Sequence, residues 1–194
     1  KAFHVANSGR PGPVLVDIPK DVQFQKGNYK SSKEVVVETY KPKVKAELND
    51  IEKAVELIVK SKKPIIYSGG GVINAGIKAS DALTEFTRIT NFPITSTLQG
   101  LGAFPGSDPQ FLGMLGMHGT YEANNAMHEC DLMINIGARF DDRITGRVDA
   151  FSPNSKKIHI DIDPSSINKI VKVDVAIVGD CLSVVSDMLT TLKN

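Results

Sequence analysis

From Glu47 onward, apolar residues recur with a regularity that the preceding positions lack. Leu48, Ile51, Ala54, Val55, Ile58 and Val59 fall at three- and four-residue spacing with Glu and Lys between them, which predicts an amphipathic helix. Asn49, with Glu52 three residues on, is the expected cap of that helix. Six short apolar runs follow, at residues 64–67, 92–96, 111–115, 132–136, 157–162 and 174–178. Stretches of mixed or helical pattern separate them, such as 77–88, 120–129 and 182–192. Strand and helix in alternation predict an α/β domain whose six-stranded parallel sheet is covered on both faces.

The first 45 residues read differently. They hold one short apolar run, Val14-Leu15-Val16-Asp17-Ile18, led by Ser8-Gly9-Arg10-Pro11-Gly12-Pro13. A single strand forms no sheet alone, so this run is expected to belong to a preceding domain and residues 1–40 to be more mobile than the rest. A lysine-rich connector, residues 20–45, follows with Val35-Val36-Val37 inside it, and Pro42 is the expected entry to the main domain. The expected division is therefore residues 1–45 and 46–194, in what reads as a piece of a longer protein.

Composition narrows the classes. The 194 residues are 41% hydrophobic and 23% charged, which is globular usage with enough length for one α/β core and an appendage. A net charge of +1 implies no basic face for nucleic acid, and the apolar runs are too short for a membrane span. Cys130 and Cys181 lie far apart in apolar contexts, which fits buried reduced thiols better than a disulfide framework or a zinc site.

The chemistry concentrates after the apolar runs. The fourth, Leu132-Met133-Ile134-Asn135-Ile136, opens into Gly137-Ala138-Arg139-Phe140-Asp141-Asp142-Arg143-Ile144-Thr145-Gly146. In open α/β sheets the carboxyl ends of strands carry the ligand, and two arginines there suit an anionic or phosphate-bearing one. Arg139 is the strongest single candidate; Asp141, Asp142, Arg143 and Arg147 fit a solvated network of their own equally well. Ser68-Gly69-Gly70-Gly71 after the first run allows close backbone approach to a phosphate, but Asn74 breaks the G-x-G-x-x-G pattern. Glycines alone favour a plain tight turn. The second run ends Thr95-Ser96-Thr97-Leu98, without the acid that holds a ribose in ordinary NAD sites. Leu115-Gly116-Met117-His118-Gly119 reads evenly as a ligand loop or a helix start. In His159-Ile160-Asp161-Ile162-Asp163 the polar residues share one face. Asp161 suits sugar hydroxyls, Asp163 suits a helix cap, and Asp180 after Gly179 fits either role. No metal-ligand spacing, G-x-S-x-G elbow or HExxH is present, so the chain reads as a ligand cradle without an obvious acid, base or nucleophile.

Together these motifs resemble the acetolactate synthase (acetohydroxyacid synthase) family of thiamine-diphosphate-dependent enzymes. Residues 8–22 resemble the end of that family's first domain, and the remainder resembles its central domain, with the 137–146 run the most specific element. The resemblance implies a three-layer, Rossmann-like NAD/FAD-binding fold of the DHS type, with FAD that has no net redox task. It implies flavin contacts from Arg10, Gly69, Gly70, Gly71, Thr97, Leu98, Leu115, Gly116, Met117, His118, Gly137, Ala138, Arg139, Phe140 and Asp141. Asp142 and Arg143 would lie next to the cofactor, Asp161 and Ile162 at its adenosine end, and Asp180 and Cys181 nearby. In the parent, thiamine diphosphate and Mg²⁺ would be bound by the first and third domains, so the chain is expected to be inactive alone. The implied reaction decarboxylates pyruvate and condenses the fragment with pyruvate or 2-oxobutyrate, toward branched-chain amino acids. The implied partners are the other domains of the same subunit, a homodimer or tetramer, and a small regulatory subunit, with no nucleic acid or membrane. The implied compartment is the bacterial cytoplasm, or a plastid or mitochondrion. Competing readings are another thiamine enzyme such as a pyruvate oxidase, a stand-alone nucleotide-binding module, and an interaction domain without ligand. Two cysteines rule out the four-cysteine zinc site of an NAD-dependent deacylase of similar fold.

Overall fold

All six apolar runs form strands: β1 (Pro64–Ser68), β2 (Ile94–Ser96), β3 (Phe111–Met114), β4 (Leu132–Ile136), β5 (Lys156–Asp161) and β6 (Val175–Val178). They make one sheet in the order β3-β2-β1-β4-β5-β6, and every pairing is parallel. The computed structural model describes residues 1–29 and 37–193, which fall into two units, residues 1–42 and 43–194.

In the second unit the two-residue period of the strands sorts side chains between two cores. Ile66, Ile94, Ile134, Ile158, Ile160 and Ile177 face the larger one. That face is covered by α3 (Leu48–Lys60), α4 (Gly70–Ala75), α5 (Ile77–Thr90) and α8 (Cys181–Lys193), which bring Ile51, Ile58, Leu83, Phe86, Val184 and Met188 into it. Ile65, Tyr67 and Met133 face the smaller core, with Phe140, Phe151 and Val171 from loops and Ala123 and Met127 from α6 (Tyr121–Glu129). Each fully buried aliphatic side chain contributes about 2 kcal/mol, and β4, buried at all five positions, lies under both layers.

Two local expectations are corrected. The cap of α3 is Glu47, not Asn49, which lies inside the first turn. The Glu47 carbonyl accepts from Asp50 N and Ile51 N, and its carboxylate takes the Lys43 ammonium at 2.7 Å. In the first unit, Val14-Leu15-Val16-Asp17-Ile18 forms no strand and is exposed, with Leu15 at 93%. The physical reason is that, among the described residues of this unit, no second strand is there to satisfy its backbone. The unit's described residues include two short helices, α1 (Ala2–Asn7) and α2 (Lys20–Gln23), and the Tyr40 hydroxyl donates to Ser8 O at 2.8 Å. Val35 and Val36 lie outside the described residues. Among the described residues, no helix is long and apolar enough to cross a membrane.

Candidate functional site

The strand order reverses between β1 and β4: β2 and β3 add to one side of β1, β5 and β6 to the other side of β4. Such a reversal opens a crevice at the carboxyl edge, because the loops leaving the two central strands turn apart. Here those loops are also tied together at their base. Gly69 N donates to Ile136 O and Gly71 N to Gly137 O, both at 2.9 Å. A Cβ on Gly71 would stand 2.7 Å from Gly137 Cα, so only glycine admits this approach. The Gly69 and Gly71 N–H groups are thus spent on the β4 loop rather than aimed at a ligand. Gly70 begins α4 beside Gln99. Thr97 caps the 3₁₀ turn Leu98–Gly100 through its hydroxyl, at 3.0 Å from Gly100 N, and Leu98 is exposed.

The loop after β3 meets the β4 loop as well. Leu115 is buried, Gly116 takes φ +92°, and Met117 N donates to Arg143 O at 2.9 Å. The Asn124 side chain on α6 holds both ends of the Gly116 backbone, accepting from its N at 2.8 Å and donating to its O at 3.1 Å. Met117 and His118 remain exposed beside this contact. Two motifs about 25 positions apart in the chain therefore share one edge.

Within the β4 loop the residues divide sharply. Ala138 is buried, Arg139 has a side chain 60% exposed, and Phe140 turns back into the core with φ +54°. The Phe140 ring packs edge-on to His159 and Phe151 and tilted against Tyr67, so only its backbone borders the crevice. Arg139 Nη2 pairs with Asp141 Oδ2 at 2.7 Å. Asp141 Oδ1 accepts from Arg143 N and caps the short helix α7 (Asp142–Thr145). These donors, the Arg143 N–H first, hold the Asp141 carboxyl below its ordinary range. Asp142 and Arg143 are exposed, and Arg147 pairs with Asp149 at 2.8 Å. In place of the network expected among the loop charges, Asp141 takes Arg139 and the Arg143 N–H, and Arg147 pairs with Asp149.

The β5 and β6 ends complete the edge. Asp161 is buried and accepts from Asp163 N at 2.9 Å, while Asp163 caps the next 3₁₀ turn and Ile162 is half-buried. Gly179 N donates to Asp161 O at 3.1 Å. Asp180 Oδ1 accepts from Leu182 N and Ser183 N, so this carboxylate caps α8. Cys181 follows it, its sulfur packed against Gly137, and burial, then Asp180 and Asp161, pushes the thiol up to about 12. Arg10 belongs to the first unit. Among the described residues, no three His, Cys, Asp or Glu side chains are grouped to hold a metal ion.

The edge offers the exposed Arg139 guanidinium where the strand order reverses, a buried carboxylate at the end of β5, and glycine turns that keep the floor close. That donor set fits a ligand with a negatively charged middle and hydroxyls at one end, such as a dinucleotide. Sequence reasoning missed Asn124, Asn135 and Tyr67 as parts of this edge. A signal existed for Asn135, since an amide inside the run Leu132-Met133-Ile134-Asn135-Ile136 needs partners once buried.

Residues 51–188 match the family model for the central domain of thiamine pyrophosphate enzymes. The chain is also similar to proteins named acetolactate synthase large subunit. It is 50% identical to the one from Haemophilus influenzae over 195 residues, which cover all of this chain and 34% of that protein. It is 49% identical to the one from Corynebacterium glutamicum, covering all of this chain and 30% of that protein. It is 46% identical to acetolactate synthase isozyme 3 large subunit of Escherichia coli, covering all of this chain and 34% of that protein. The chain spans about a third of the length of the curated relatives it matches.

Proposed function

Because the chain belongs to the thiamine pyrophosphate enzyme family through its central domain, we propose that it serves an acetolactate synthase large subunit as the domain that binds FAD. Thiamine diphosphate and Mg²⁺ would be held by segments corresponding to the other two thirds of the relatives, together with the groups that act on pyruvate. Residues 1–45 would be the end of the preceding domain and its linker. The flavin would have no net redox task there. In the assembled enzyme, a dimer or tetramer able to take a small regulatory subunit, Met117 and His118 would pack near the flavin, and Asp142 and Arg143 would lie near the channel to thiamine.

The observation that carries this reading is Arg139, which stands exposed at the carboxyl end of β4, where the strand order reverses. A guanidinium there can grip a diphosphate with two parallel hydrogen bonds, at the cost only of its exposed pairing with Asp141. Asp161 Oδ1 takes Asp163 N, and Oδ2, with His159 Nε2 3.8 Å away, would take a ribose hydroxyl. An acid on β5 rather than β2 also accounts for Ser96 and Thr97 where an ordinary NAD site has a carboxylate. The chain's own residues thus bind and orient; none is asked to move a proton.

The test is a titration of the chain with FAD, followed by flavin fluorescence, with NAD as control. Saturable FAD binding, weakened at least tenfold by Arg139→Ala, is the expected result. NAD binding with FAD inert would overturn the reading.

A further inference from the structure

Sheet register brings four polar side chains into one buried row. Thr95 on β2, Tyr67 on β1, Asn135 on β4 and His159 on β5 are successive partners across the sheet, and each is 0% exposed. Such a row is costly in the middle of a parallel sheet unless its hydrogen bonds are made. Two of its members spend theirs on the same residue. Asn135 Nδ2 donates to Ala138 O at 2.7 Å, and Asn135 Oδ1 accepts from Ala138 N at 3.0 Å. His159 Nε2 lies 2.8 Å from that same carbonyl. A carbonyl only accepts, so the His159 proton is on Nε2 and the Nδ1 lone pair is left without a partner, as is the Tyr67 hydroxyl. Two unmet groups are tolerated here while Ala138 is held three times.

What Ala138 precedes gives this arrangement its consequence. Arg139 leaves toward solvent, and Phe140 plunges into the core in the left-handed region, 5.0 Å ring to ring from His159. A non-glycine residue there is held against its own preference. With Ala138 fixed on one side and the Phe140 ring packed on the other, the Arg139 Cα has little freedom, although its side chain is exposed.

We propose that Asn135 and His159 are positioning residues for the Arg139 guanidinium, acting through the Ala138 peptide to set it for an anionic cofactor. This rests on the reading of the edge as an FAD cradle. The test compares Asn135→Leu, His159→Gln, His159→Leu, Arg139→Ala and the Asn135→Leu/Arg139→Ala double variant of the chain. FAD affinity is measured by fluorescence, and exchange of the 139–141 amides by mass spectrometry without ligand. Asn135→Leu should weaken FAD roughly tenfold, and add little once Arg139 is gone, because both changes remove one grip. His159→Gln, whose amide N–H reaches the same carbonyl, should bind like wild type, and His159→Leu should not. Unchanged affinity in Asn135→Leu, or the same loss with and without Arg139, would overturn the proposal. If Asn135→Leu does not fold, equal affinity in the two His159 variants overturns it. A wild-type chain that takes no FAD sinks the cradle reading instead. The exchange data then decide the clamp: faster exchange at 139–141 in His159→Leu but not His159→Gln supports it, and equal rates refute it.

Discussion

Gly71 has no room for a side chain, and the consequence can be measured. A Cβ there meets Gly137 backbone, which cannot yield as a flexible side chain would. Gly71→Ala should therefore destabilise the chain by about 1–3 kcal/mol in urea unfolding, the usual cost of overpacking. Cys181, its sulfur packed against Gly137, is buried and of low reactivity. Burial first, then the Asp180 and Asp161 carboxylates, push its thiol up to about 12, and Cys130 is raised by burial as well. Thiol reagents at pH 8 should label neither cysteine in the native chain and both in denaturant. Acid sensitivity has its own residues. Asp141 titrates below its ordinary value because the Arg143 N–H caps it first of all. Asp174 also ends lower: burial pushes it up, but the Lys156 ammonium at 2.8 Å and the Lys157 N–H outweigh that. A depressed folded value gives stability that is complete above the unfolded value, about 3.9, and is lost as pH falls through the folded one. Urea midpoints should thus hold from pH 7 to 5 and drop below about pH 4, with a smaller drop in Asp174→Asn.

At the scale of elements, the helices begin where a side chain or a carbonyl meets the first turn, and hydrophobic spacing is silent about which. Thr120 caps α6 in two directions: its hydroxyl accepts from Ala123 N at 3.2 Å and donates to Leu112 O at 2.6 Å. Thr120→Ala should cost about 1–2 kcal/mol in thermal or urea unfolding, and Thr120→Ser should recover most of it. Asn49 had the right chemistry for a cap, but the backbone of Glu47 had already taken that position. Conversely, Asp163 reads as a cap in the sequence and Asp180 as either a ligand group or a cap, and both cap. The strand-like run at residues 14–18 illustrates the limit of local pattern most plainly. Apolar alternation offers a strand, but an edge to pair with has to come from elsewhere.

For the whole molecule, both cores are built within residues 46–192, so residues 43–194 should fold by themselves with one cooperative urea transition. A broad, non-cooperative transition would mean that the sheet needs more chain than the second unit holds. The six strands, the helices at 77–90, 121–129 and 181–193, and the gathering of the candidate residues at carboxyl strand ends were legible from period and turn residues. The reason is that a strand buried between two layers is a short apolar run whatever surrounds it, and the loops must then carry the polar chemistry. Arg139 and Asp161 were legible for the same reason, being charges that directly follow or end such runs. What the chain's order cannot express is adjacency across strands. Gly71 against Gly137, Met117 against Arg143, and Asn135 with His159 on one Ala138 peptide join residues 24 to 66 positions apart. Their meeting depends on strand order and register, which follow from how the two faces pack and not from any single segment. Sequence alone determined which residues are polar at the edge; tertiary structure decided which of them face the crevice and which are spent holding it open.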